Sequence, residues 1–220
     1  MSFLKNFIAI IFVASYASAS WADGLNSLET FIKTVSSGRA NFTQVVTAPT
    51  REGQSARSKT SSGTFEFARP GRFKFVYKKP FEQSIVADGQ TLWLYDVDLN
   101  QVTARKQASA LGTTPAALIA SAPDLRALQA DFNLSAAPDQ DSLQWVLASP
   151  KAKDGQLQAV RVGFRQNEKD AISKELAVLE IVDSFGQRSV LSFSKVEINP
   201  TLPADTFAFK PPKGADVIRQ

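Results

Sequence analysis

Residues 65–77 read Phe-Glu-Phe-Ala-Arg-Pro-Gly-Arg-Phe-Lys-Phe-Val-Tyr, so aromatic rings alternate with other side chains on both sides of a Pro-Gly pair. Side chains of an extended strand point alternately to its two faces. Phe65, Phe67 and Arg69 therefore share a face, as do Phe73, Phe75 and Tyr77 on the strand that follows. Pro-Gly supplies the tight reversal between them, which predicts a β-hairpin with its two aromatic rows side by side. A sheet carrying such a face must bury it. By parity Arg69 lies at the end of the apolar row. It reads either as a solvated cation beside a turn or as a guanidinium whose five donors satisfy carbonyls at a helix C-terminus.

The remaining chain extends this pattern. Leu25, Leu28, Ile32 and Val35 recur at helical spacing, which predicts an amphipathic helix over 24–36 that Gly38 stops. From Arg39 the period changes to two, giving a first strand through Phe42, Gln44 and Val46, and the polar stretch 48–62 reads as an exposed loop. Segments 82–87 and 90–96 flank Asp88-Gly89, a strong hairpin signal, and bring Trp93 and Tyr95 near the aromatic stripe. A short strand over 100–106 follows. Alternation is then lost in 108–122, where Thr114-Pro115 opens a short helix presenting Leu118, Ile119 and Ala120. Pro123-Asp124 caps a further helical turn at 125–129. Strands are expected at 131–136, 142–148, 157–165, 175–183 and 187–199, with a last one at 206–209.

These elements predict a mainly β fold with an α lid: an incomplete antiparallel β-barrel of about 11 strands, covered by two or three short α-helices and enclosing a hydrophobic cavity. A barrel too wide for its side chains to fill typically encloses a ligand. Phe65, Phe67, Phe73, Phe75, Tyr77, Trp93 and Tyr95 then read either as plain core or as the walls of an apolar pocket.

Several function classes are excluded or left unsupported. The chain has no Cys and no His, so it has no thiolate nucleophile, Ser-His-Asp triad or imidazole metal ligand. Asp88, Asp96 and Asp98 sit in or beside turns without EF-hand spacing, and no metal or cofactor is expected. No convincing Ser-x-x-Lys nucleophile motif and no phosphate-binding Gly-rich loop appears, and the reading is not an enzyme. A net charge of +4, with 25 basic residues scattered among 21 acids, gives nucleic-acid binding little support.

Residues 1–22 have the form of a signal peptide: Lys5, an apolar run from Phe7 to Val13, and Ser20-Trp21-Ala22 as a small-x-small cleavage site. This predicts a single exported domain over 23–220. No later stretch approaches the roughly 20 apolar residues of a spanning helix.

The ordered set Asn41-Phe42-Thr43-Gln44, Arg69-Pro70, Asp88-Gly89-Gln90-Thr91-Leu92-Trp93-Leu94-Tyr95-Asp96, Thr113-Thr114-Pro115 and Phe209-Lys210-Pro211-Pro212-Lys213-Gly214 resembles the periplasmic outer-membrane lipoprotein carriers of the LolA family. The resemblance runs from about Leu25 to Val217. It implies a periplasmic monomer, not embedded in a membrane, that binds lipoprotein acyl chains. Such a carrier accepts lipoproteins from an inner-membrane ABC transporter and delivers them to an outer-membrane receptor. It further implies that Arg69 bonds lid-helix backbone as a latch, that Phe73 and Phe75 lie at the mouth and inside the cavity, and that Ile32, Ile119 and Ala120 belong to the lid with Leu28 and Val35. A lipid-sensing regulatory protein of the same fold is the alternative, and an enzyme on this fold the remotest.

Overall fold

The computed structural model describes residues 23–49, 55–111, 124–153, 155–167 and 173–220. The signal-peptide reading and the lid positions Leu118, Ile119 and Ala120 lie outside the described residues. Twelve strands form one sheet: β1 (Ser37–Thr47), β2 (Ser58–Ala68), β3 (Arg72–Lys79), β4 (Gln83–Ala87), β5 (Thr91–Asp96), β6 (Gln101–Lys106), β7 (Phe132–Gln140), β8 (Leu143–Pro150), β9 (Leu157–Gln166), β10 (Lys174–Asp183), β11 (Arg188–Ile198) and β12 (Asp216–Arg219). Their spatial order is β12-β6-β5-β4-β3-β2-β1-β11-β10-β9-β8-β7. Strands β1 to β11 are antiparallel to their neighbours, and β12 joins β6 in parallel. β12 and β7 do not pair with each other, so the sheet curls without closing.

Three differences from the expected elements have plain causes. β2 begins at Ser58, inside the stretch read as loop, because Ser58 to Ser62 pair with β1 even though their polar side chains, Lys59 included, carry no apolar alternation. The first helix, α1 (Asp23–Thr34), ends before Gly38, and that glycine belongs to β1. A Cβ at residue 38 would come within 2.4 Å of the Phe67 ring, so close packing, not helix termination, demands glycine there. Residues 206–209 form no strand: they pack as an irregular segment, and the last strand is β12.

α1 covers the inner face of β7–β10. Its buried stripe is Leu28, Phe31, Ile32 and Val35, while Glu29 and Lys33 form an i,i+4 ion pair at 2.6 Å on the outer side. α2 (Gln107–Leu111) follows β6 directly, and α3 (Leu125–Asp131) packs beside α1 on β7. Asp124 caps α3, its carboxylate accepting from the Ala127 N–H at 2.9 Å. Among the described residues no helix is long and apolar enough to cross a membrane.

Candidate functional site

The inner face of β2–β5 can be read as rows running across the sheet. Phe67, Phe73, Ala87 and Leu92 are in register as one row, and Phe65, Phe75, Ile85 and Leu94 form the next. The third row, Gly63, Tyr77, Gln83 and Asp96, turns polar. The two apolar rows are closely packed. Phe65 stacks on Phe75 with centroids 4.4 Å apart and lies 5.6 Å from both Phe67 and Phe193. Phe42 meets Phe75 and Tyr77 edge-on at 5.5 and 5.0 Å. Gly63 makes room for this cluster, because a Cβ there would lie 1.9 Å from the Val76 carbonyl oxygen and 3.0 Å from the Phe42 ring.

α1, seated on β7–β10, meets this surface through Phe31 and Val35 toward its C-terminal end. Phe31 reaches Phe67 at 6.1 Å and Phe164 at 5.4 Å, and so bridges the two halves of the sheet. Between α1 and the aromatic rows a void of about 20 Å³ remains, lined among others by Phe31, Val35, Phe65, Phe67, Leu176 and Phe193. That is space on the scale of one water and far too little for a hydrocarbon chain. Among the described residues the space around this void is filled by the protein's own side chains, Phe31 and Val35 from the helix side.

Arg69 sits where the helix ends. Its Nε donates to the Val35 carbonyl at 2.9 Å, and its backbone N–H donates to the Ser36 carbonyl at 2.8 Å. The guanidinium also lies over the Phe31 and Phe67 rings, 5.3 and 5.7 Å from their centroids. Burial lowers its pKa to about 10, so the cation is held at a real desolvation cost. A single side chain thus joins the β2–β3 turn to the C-terminal end of α1.

These features, an aromatic inner face under a helix tied down by one buried arginine, meet a specific family. The model of the outer membrane lipoprotein carrier protein LolA matches residues 33–210. The chain belongs to the LolA family. It is 72% identical over 214 residues to the outer-membrane lipoprotein carrier protein of Albidiferax ferrireducens, covering 97% of this chain and 99% of that one. It is 53% identical to the protein of the same name from Methylibium petroleiphilum, covering 93% of each chain. An uncharacterized conserved protein from Thermus thermophilus shares the fold with a TM-score of 0.52 at 12% identity, covering 90% of this chain and 99% of that structure.

Within this chain the rows bring together Phe65, Phe67, Phe73, Phe75 and Tyr77 on one face; Val35 meets them beside Phe31, whereas Ile32 lies toward α3 and Leu28 is buried in the same core. Trp93 and Tyr95, read from the sequence as cavity residues, point the other way. Phe73 faces inward and aligns with Ala87 and Leu92, so Trp93, one residue on, faces outward with Val86 and Ala104. There Phe209 covers Trp93 and Tyr95, with centroids 5.3 and 6.1 Å away, and Trp93 Nε1 donates to Asp88 at 2.8 Å. Being near in sequence to the stripe did not place them on its face.

Two residues escaped the sequence reading. Phe31 is the largest inward side chain of α1; its spacing of three from Leu28 and four from Val35 already put it on the apolar stripe. Gln107, only 4% exposed, accepts from the Gly89 N–H at 2.9 Å and donates to the Gly71 carbonyl at 2.7 Å, so α2 clasps both hairpin turns. Nothing in the local pattern around Gln107 marks that contact, because it joins turns 36 and 18 residues away.

Proposed function

We propose that the mature chain, residues 23–220 after removal of the signal peptide, is a periplasmic carrier that shields the acyl chains of lipoproteins between α1 and the aromatic rows of β2–β5. In this reading it receives lipoproteins from an inner-membrane ABC transporter and hands them to an outer-membrane receptor. The observation that carries it is the pairing of a continuous aromatic inner face with the amphipathic helix α1, whose C-terminal end Arg69 holds against that face. An apolar surface covered by one movable element can exchange that element for an apolar ligand of similar area.

The energetics suit the task. At about 0.8 kcal/mol per buried CH₂, an anchor of several acyl chains costs on the order of tens of kcal/mol to expose to water. A carrier must replace that burial in kind, and Leu28, Phe31, Ile32 and Val35 are the side chains whose place acyl chains would take. Release needs no nucleotide if the helix returns as the chains leave, and the Arg69 contact to Val35 favours that return. Arg69 acts here as the latch, Phe65, Phe67, Phe73, Phe75 and Tyr77 as the acyl-facing wall, and Leu28, Ile32 and Val35 as lid. The test is to incubate the purified protein with membranes carrying a labelled lipoprotein and its transporter. Soluble one-to-one complexes are expected; label that stays with the membrane at saturating protein refutes the carrier reading.

A further inference from the structure

The joint between α1 and β1 is held from two sides. On one side stands Arg69, whose Nε donates to the Val35 carbonyl and whose backbone N–H donates to the Ser36 carbonyl. On the other stands Asn199, the residue that follows β11. Its Oδ1 accepts from the Ser36 N–H at 2.8 Å, the Ser36 hydroxyl at 3.1 Å and the Ser37 N–H at 3.2 Å, and its Nδ2 donates to the Thr34 carbonyl at 2.8 Å. Its own backbone N–H donates to the Ser37 carbonyl at 2.9 Å, which ties the residue to the start of β1. The oxygen of Val35 and the N–H of Ser36 belong to one peptide unit, and in a trans peptide they point to opposite sides. Arg69 therefore grips that unit by its oxygen and Asn199 by its hydrogen. The next unit, between Ser36 and Ser37, is gripped in the same way by the Arg69 backbone N–H and by Asn199 Oδ1.

We propose that Asn199 is the positioning residue of the Arg69 latch, acting on delivery through the peptide unit that the two side chains share. The inference rests on the carrier reading above and adds a second jaw to its latch. A cation bonded to a carbonyl polarises the amide and strengthens the bond that its N–H donates on the far side; the reverse also holds, so each partner tightens the other. Orientation is coupled as well. Turning the Val35 carbonyl away from Arg69 rotates its peptide unit and breaks the Ser36 bond to Asn199. The residue type fits this position on two counts. One short side chain must both accept and donate, which an amide does, and the backbone stands at φ +52°, a left-handed conformation that asparagine, aspartate and glycine adopt most readily.

The experiment compares the wild type with Arg69→Leu, Asn199→Gly, the double variant and Asn199→Asp, reading lipoprotein uptake, delivery to an acceptor, and amide hydrogen exchange. Glycine accepts the φ of +52° and removes only the side chain, whereas aspartate keeps the acceptor for Ser36 and Ser37. Asn199→Gly is expected to leave uptake intact and slow delivery about fivefold, the effect of losing one ordinary hydrogen bond. Independent contributions would multiply to about twenty-five-fold in the double variant, while a shared peptide unit keeps it at about fivefold. Asn199→Asp should deliver at close to the wild-type rate. Wild-type delivery by Asn199→Gly, a double variant slowed by the product of the two single effects, or Asn199→Asp as slow as Asn199→Gly each overturns the assignment. Exchange at the Ser36 amide is read on the unloaded protein, where carrier activity does not enter. Arg69→Leu should speed it although Asn199 itself is intact, and unaltered exchange there also overturns the proposal. If the wild type forms no soluble lipoprotein complex, the carrier reading fails, and the role of Asn199 in delivery falls with it whatever the exchange shows.

Discussion

Replacing Arg69 with Leu separates the latch from the general stability of the sheet. The wild-type contact includes a charge-assisted hydrogen bond to the Val35 carbonyl at 2.9 Å and two cation–π contacts at 5.3 and 5.7 Å. These contribute about 2 kcal/mol for the hydrogen bond and about 1 kcal/mol for each ring. Against that stands the burial of the cation, which lowers the pKa to about 10 and corresponds to a cost of about 3 kcal/mol. The net contribution is about 1 kcal/mol, so the variant's melting temperature should stay within about 4 °C of wild type. The same 1 kcal/mol also biases the helix toward closure. Its loss should leave lipoprotein uptake intact, speed hydrogen exchange at the Val35 amide that now donates to Phe31, and slow delivery to an acceptor about fivefold. Thermal melts, amide exchange and a two-protein transfer assay read the three effects. Transfer at the wild-type rate, or a melting temperature lowered by more than about 10 °C with unchanged exchange in α1, would refute the latch.

Phe65→Ala empties the centre of the aromatic rows, where the ring is 2% exposed and touches Phe67, Phe75 and Phe193; urea titration should show a loss of about 3–5 kcal/mol. Gly63→Ala sets a methyl against the Val76 carbonyl oxygen and the Phe42 ring, so it should cost about 1–3 kcal/mol in the same titration, and an unchanged midpoint would contradict the close approach. At Asp88 partial burial acts to raise the carboxyl pKa, but hydrogen bonds from Thr91, Trp93 and Gln90 prevail and hold it below its ordinary 3.8. A folded pKa below the unfolded one means stabilisation that is complete above the unfolded value and lost as pH falls through the folded pKa. The stability gap between wild type and Asp88→Asn should thus be constant near neutrality and narrow below about pH 4, a trend that acid titration of unfolding free energies can check.

Much of this architecture was legible because a strand has period two. The parity of Phe65, Phe67 and Arg69 held through the hairpin, and the register places Phe73 and Phe75 beside them as the alternation required. The same parity, followed through the Asp88-Gly89 turn, would have sent Trp93 and Tyr95 to the outer face, but proximity in sequence obscured it. What parity cannot supply is contact across distance. The Val35 carbonyl becomes Arg69's acceptor only after α1 folds back 34 residues, and Gln107 finds Gly71 and Gly89 only because antiparallel strands set those turns side by side. The Ser- and Thr-rich start of β2 failed for another reason. Its backbone is satisfied by β1, and a strand held by its neighbours needs no apolar signature of its own.

The outward placement of Trp93 and Tyr95 has a bearing on how such a protein survives its own work. Val86, Val102 and Ala104 are buried on that outer side beneath the segment that carries Phe207 and Phe209, and β12 clamps the segment's end against β6. Half of the sheet thus owns two hydrophobic layers, one on each surface. The outer layer is tied by the pairing of β12 with β6; on the carrier reading proposed above, the inner layer is the one a guest would exchange. A fold arranged in this way can surrender the packing beneath α1 to a guest and still have a core to stand on while it does so.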